Sequence, residues 1–286
     1  MERNRVIPQK PSNISWEKTI RNVLMLSLLI SNSTWAEFDF TVVPEKLTAY
    51  YASNLQPISS LKSKLTANGF KVLASTEILE NETVITITNS QLQETNSYMA
   101  TLQILVNPIK NEIRVQNPSY LGAAYLQNNY TYGQFKTTLL ALESSLGAMH
   151  EVPDKTEFSK LTNYRFLFGM PHLEDYITII DEKKAEKKIT VPKADKYFTY
   201  SLKLPNGTLL VGHKLRKETN NFLKTISAEH NAQILPYEAM IKNGKVTILD
   251  PKYYLALSLP LLSMSDFMKI ATTPDQIVKD IRRAYN

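Results

Sequence analysis

Two methionine–histidine groupings, Met149-His150 and Met170-Pro171-His172, carry the side chains best able to hold a metal in this 286-residue chain. Thioether and imidazole ligands together suit copper, above all in an oxidising compartment. The competing reading makes both methionines packing residues and both histidines loop residues, because copper sites of this kind cluster Met and His more densely. The four histidines, His150, His172, His213 and His230, show no zinc-type spacing.

Tyrosine supplies a second lead. Tyr120, Tyr253 and Tyr254 follow two matching corners, Asn117-Pro118 and Asp250-Pro251, and Tyr50 and Tyr51 sit early in the chain. A tyrosine joins an apolar body to a polar tip, which suits a ligand groove or a protein interface. It suits packing at a sheet edge equally. Asn117, Tyr120, Asp250 and Tyr253 are therefore the candidate binding residues. The bland reading of the corners is that Asn or Asp before Pro ends a strand and turns the chain.

Other chemistries find no support. The chain has no cysteine, which removes disulfides, thiolate metal sites and a cysteine nucleophile. It contains no Gly-x-Ser-x-Gly, no Gly-x-Gly-x-x-Gly and no Walker-type loop, and eight glycines in all leave little for cradling phosphate. Glu174-Asp175, Asp181-Glu182, Lys183-Lys184 and Lys187-Lys188 read as a solvated surface. No cofactor is implied. The formal charge of +6 falls to +3 once residues 1–36 are set aside, with 28 basic and 25 acidic side chains left. A mildly basic, mixed surface excludes nucleic acid as the expected partner.

These residues need elements to position them. Strands are predicted at 46–54, 70–78 and 83–88, with a helix over 57–69 started by Pro57 and stopped by Gly69. A short helix over 90–99, a hairpin of "TLQILVN" and "EIRVQN", and an amphipathic helix over 132–147 complete a first set. The second half is predicted to begin with a strand at 164–169 and a helix over 172–188. Then come a hairpin of 196–204 with 208–215, a helix over 217–230, a hairpin around Lys242-Asn243-Gly244, and a helical end. Ile-Lys-Asn recurs at Ile109 and Ile241, Glu-Thr-Asn at Glu94 and Glu218, and the Pro-x-Tyr corner at Pro118 and Pro251. The expectation is one duplicated unit. Its copies are residues 37–149 and 164–286, joined by a polar linker at 150–163.

The N-terminus points to export. A basic region precedes the apolar run Val23–Ile30, and Thr34 and Ala36 occupy the positions that a signal peptidase reads. Residues 1–36 are expected to be a signal peptide, with an uncleaved anchor as the alternative. The run is too short to span a bilayer as a transmembrane helix. No membrane span is expected after cleavage, and the location implied is periplasmic or secreted.

The stretch "VITITNSQLQETNSYMATLQILVNPIKNEIRVQNPSYLGAAYL", with a more divergent counterpart from Thr208 to Leu262, resembles the domain-of-unknown-function family 302. The resemblance implies an α+β fold of the TATA-binding-protein-like class, a curved antiparallel sheet with helices on one side, present in two tandem copies. Family members often carry a cysteine before the short helix, where Thr88 and Asn89 stand here, so no thiol role carries over. From the repeats and the lack of a catalytic motif, not from the resemblance, the expected molecule is a monomer acting as a pseudo-dimer that binds a partner protein or a small ligand without chemistry. An enzyme using a groove between the repeats, or copper held by Met149, His150, Met170 and His172, are the alternatives.

Overall fold

The computed structural model describes residues 38–182, 185–190 and 194–286, and the expected signal peptide lies outside them. The fold is α+β, with every strand pair antiparallel and eleven α-helical segments among the described residues. In chain order the strands are β1 (Lys46–Thr48), β2 (Tyr50–Asn54), β3 (Lys71–Leu79), β4 (Glu82–Thr88), β5 (Leu102–Asn107), β6 (Glu112–Gln116) and β7 (His150–Glu151). They continue with β8 (Lys155–Glu157), β9 (Ile177–Asp181), β10 (Phe198–Lys203), β11 (Leu209–His213), β12 (Tyr237–Lys242) and β13 (Lys245–Ile248). One sheet runs β3-β4-β5-β6-β2-β7, a second runs β10-β11-β12-β13-β9, and β1 pairs with β8 alone.

Turn chemistry sets these registers. Asn81 (φ 64°) closes the β3–β4 hairpin, Asn111 (φ 54°) the β5–β6 hairpin, and Asn243-Gly244 (φ 52° and 83°) the β12–β13 hairpin. Two successive left-handed residues make the tight turn that matches the strand twist, and Asn and Gly reach that region at least cost. Along β5 all six residues are buried, because both faces of the first sheet are covered. One face packs on helices Ile58–Ala67 and Lys136–Leu146 through Leu61, Leu65, Leu139 and Leu142. A 3-10 segment, Glu229–Ile234, lies over β5 and β6. In the second sheet, His213 and Phe198 pack against Tyr285, just beyond helix Thr273–Arg283.

Several expected elements differ. Residues 164–169 are not a strand, and Phe166 instead packs its ring on Phe267 (5.5 Å between centroids). The helix predicted over 172–188 is strand β9 followed by one helical turn, Ala185–Lys188. Its sequence, Ile177-Thr178-Ile179-Ile180, is β-branched throughout, and pairing with β13 outweighs the charge pattern that resembled a helix end. The single helix expected over 217–230 is two short turns, Lys217–Asn220 and Phe222–Thr225. Residues 150–163 hold β7, β8 and the turn Phe158–Leu161. Among the described residues no helix is long and apolar enough to cross a membrane.

Two unpredicted helices follow the matched corners. Asn117 caps Pro118–Leu126 by accepting from the Ser119 N–H (2.9 Å), and Asp250 caps Pro251–Ser258 by accepting from the Lys252 N–H (2.8 Å). Pro at the first helical position lacks only an N–H that would be unpaired anyway. The C-terminal carbonyls of the second helix meet three tyrosines. Tyr164 donates to Ala256 (2.9 Å), Tyr120 to Leu257 (2.7 Å) and Tyr50 to Ser258 (2.6 Å). These satisfy carbonyls that a helix end leaves without intrahelical partners, and the bonds from Tyr50 and Tyr120 tie the first half to the second.

Gly122 lies where that first helix meets an aromatic stack. A Cβ there would stand 2.8 Å from both Phe135 Cε2 and Tyr130 Cε2, whose rings are stacked 6.2 Å apart. Gly122→Ala should therefore destabilise the fold by about 1–2 kcal/mol, overpacking outweighing alanine's better helix propensity. A chemical-denaturation midpoint equal to or above that of the parent would show that the rings yield freely.

Candidate functional site

The four corner residues are deeply placed. Asn117, Tyr120 and Tyr253 are buried and Asp250 is half-buried. Asn117 also donates through Nδ2 to the Thr48 carbonyl (2.8 Å), and burial is the main cause raising the Asp250 carboxyl above its usual range. Tyr120 contacts Thr156 Oγ1 (3.0 Å) besides Leu257, whereas the Tyr253 hydroxyl has no partner among the described residues. None of the four lines the three cavities described below. Of the methionine–histidine set, Met149 is buried, His150 is exposed on β7 opposite Ala52, and Met170 and His172 lie half-buried before β9. Among the described residues no three His, Asp or Glu side chains gather as metal ligands would.

The junction between the two sheets is polar. Glu238 on β12 accepts through Oε1 from Thr101, from Tyr200 and from Gln103 Nε2 (3.3 Å), while Gln103 Oε1 accepts from Thr86 (2.6 Å). Burial pushes the Glu238 carboxyl up to about 7, although its three donors hold it down. Three protein donors converge on the Glu238 Oε1, so the network reads as an adhesive between sheets.

The largest of the three cavities, about 490 Å³, opens beside the tips of two hairpins. Leu79, Glu80, Asn81 and Glu82 come from the β3–β4 tip, Asn107, Ile109 and Lys110 from the β5–β6 tip, and Lys224, Ser227, Glu229 and His230 from the second half. Glu82 opens β4, and its side chain is held by Asn107, whose Nδ2 donates to Oε1 (2.9 Å). Asn107 Oδ1 in turn accepts from the Lys110 N–H (3.0 Å), so one side chain fixes both the turn and the carboxyl. Glu82 is only 3% exposed, and its Oε2 is buried without a partner among the described residues. Burial first, then the Glu229 carboxylate, lift this carboxyl to about 7, against the Asn107 hydrogen bond and the Lys224 charge.

Its neighbours set the polarity of the wall. Burial, then the Arg114 charge, keep the His230 imidazole below its usual range, which favours the neutral ring. Lys110 and Lys224 enter no ion pair among the described residues. A second cavity of about 360 Å³ lies between β3 and residues 213–236, with the Asn220 Oδ1 unpartnered on its wall. A third, about 210 Å³, shares His230 and reaches Asp154.

Sequence reasoning missed Glu82, Asn107, Lys224 and His230 as a group. Glu82 reads as an ordinary hairpin residue beside Glu80, and nothing in its local pattern shows that Asn107 and residues 224–230 close over it. Comparison with family models, characterised proteins and solved structures gives no match.

Proposed function

We propose that this chain is an exported, periplasmic or secreted binding protein, built from two tandem units of the family-302 kind, that takes a small polar ligand in the cavity beside Glu82. The observation that carries the binding reading is Glu82, a residue of the cavity lining whose carboxyl oxygen Oε2 is buried without a partner among the described residues. Natural folds rarely leave such an atom unpaired, and a ligand donor would satisfy it. A cavity of this size, with a few convergent polar groups among aliphatic ones, suits a small molecule.

What supports the tandem reading is strand order. β3-β4-β5-β6-β2 and β10-β11-β12-β13-β9 follow the same path through their sheets, and each is followed by an Asn-Pro or Asp-Pro capped helix. Two joined units create a junction that one alone lacks, and binding sites favour such junctions. A second reading, an enzyme, draws on the same carboxyl, because a group that shares its proton near neutrality can act as general acid or base.

The test is a thermal-shift screen of polar metabolites against the full chain and against Glu82→Leu. Hits are expected to raise the midpoint of the parent and not of the variant. A screen without hits, or hits that stabilise both proteins alike, would overturn the reading. Turnover of a hit, followed by mass spectrometry, would favour the enzyme.

A further inference from the structure

The third cavity, about 210 Å³, combines an aliphatic wall with a buried acid. Ile226, Leu259, Leu261 and Leu262 supply the wall, and Asp154, only 2% exposed, supplies the acid. The Asp154 Oδ1 accepts from Asn231 Nδ2 (2.9 Å), whereas its Oδ2 accepts no hydrogen bond among the described residues. Arg114 Nη1 stands 3.7 Å from that Oδ2, beyond hydrogen-bond reach, and donates to Asn231 Oδ1 instead. Yet the Oδ2 is not among the partnerless polar atoms sealed from solvent. The little surface that Asp154 keeps therefore includes an open acceptor, on a residue that lines this cavity. Charge adds to this. One guanidinium, Arg114, faces two carboxylates, Glu112 and Asp154, which leaves one negative charge over. No Lys or Arg is part of the lining, His230 stays neutral near neutrality, and the other acid, Asp266, is already paired with Lys269 (2.7 Å).

We infer that this cavity is a second site, for a small primary amine with a compact apolar body, its ammonium group donating to the Asp154 Oδ2 and its body lying against the leucines. This goes beyond the reading of the Glu82 cavity and does not rest on it. An acid would meet carboxylates and no cation on the lining. A neutral apolar molecule would take water from the Oδ2 and give it no donor, which is costly for a charged oxygen. Size sets the body: a cavity of about 150 Å³ holds a benzene ring, so this one has room for a ring and a short chain. The acceptor is fixed in advance, because Asn231 holds the other oxygen of the same carboxylate.

Three probes of matched shape test this by calorimetry on the full chain: phenethylamine, a cation, 2-phenylethanol, its neutral counterpart, and phenylacetate, an anion. Phenethylamine should bind at least about tenfold more tightly than 2-phenylethanol, a hydrogen bond to a charged group being worth roughly that factor. Phenylacetate should not bind. Asp154→Asn should bring phenethylamine down to the level of 2-phenylethanol. Leu261 is 61% exposed, so Leu261→Lys should fold, and the cation it adds should weaken the amine more than the alcohol. That surface change keeps the test valid should the Asp154 variant misfold. Glu82→Leu should bind phenethylamine as the parent does. 2-Phenylethanol binding as tightly as phenethylamine, or phenethylamine failing to bind, would overturn the inference while the Glu82 reading stands. Binding lost in Glu82→Leu and kept in Asp154→Asn would also overturn it, by assigning the amine to the neighbouring cavity.

Discussion

Replacing Asp154 by alanine is expected to lower the unfolding free energy by about 3 kcal/mol, the loss measured for buried ion pairs stripped of one partner. Asp154 is 2% exposed, between β7 and β8. Its Oδ1 accepts from Asn231 Nδ2 (2.9 Å) in the second half, and its Oδ2 lies 3.7 Å from Arg114 Nη1 in the first. Arg114 also donates to Asn231 Oδ1 (3.0 Å) and to Glu112 Oε1 (3.0 Å). One carboxylate thus joins three parts of the chain. Its loss leaves the guanidinium with only Glu112, which is more exposed, as a compensating charge. Asp154→Asn keeps an acceptor for Asn231 and should lose about half as much. Urea unfolding reads both values, and an alanine variant within about 0.5 kcal/mol of the parent would sink the idea.

The second large effect is a dependence on pH. Glu238 and Glu82 both have carboxyls raised to about 7 in the fold, chiefly by burial, from an ordinary value of 4.5. As pH rises from 4.5 to 7 the unfolded chain releases these protons and the folded chain keeps them. Stability therefore falls over that window, by up to about 1.4 kcal/mol per pH unit for each fully desolvated group. His213 has the opposite sign. Burial pushes its imidazole from 6.5 down to about 4, so its contribution is lost as pH falls through that range. The single histidine offsets about half of the slope of the two carboxyls on the acid side, and the decline should be clearest as pH approaches 7 and fade above it. Glu238→Gln keeps an acceptor for Thr101, Tyr200 and Gln103 and carries no charge. It should match the parent near pH 5 and exceed it by about 2 kcal/mol at pH 8, the Glu238 part of that loss. Denaturation midpoints at the two values decide it, and an unchanged pH slope in the variant would refute the assignment.

What could be read from the sequence divides by range. The hairpins at Asn111, Gly207 and Asn243-Gly244 were legible, because a turn is specified by residues that touch it, and these residues adopt left-handed conformations. The helix Ile58–Ala67 was legible for the same local reason, with Pro57 before it and Gly69 after. Pro118–Leu126 and Pro251–Ser258 were missed although a cap residue followed by Pro announces a helix start; the tyrosines drew attention to the corner instead. Strand β9 was read as helix because β13, which makes it a strand, lies more than sixty residues away. The Glu82 cavity was illegible throughout, since three separated segments assemble it and no one of them is unusual alone.

Tyr50, Tyr120 and Tyr164 donate to the main chain at Ser258, Leu257 and Ala256, not to side chains. Every residue carries the acceptor they use, so exchanging the side chains at 256–258 leaves those bonds in place. The recognition is one-sided: a tyrosine is required at one end, and any amino acid that keeps the helix serves at the other. Paired substitutions between homologues would therefore carry no trace of this latch. A statistical method that infers contacts from compensating changes should miss these bonds, including the two, from Tyr50 and Tyr120, that join the halves.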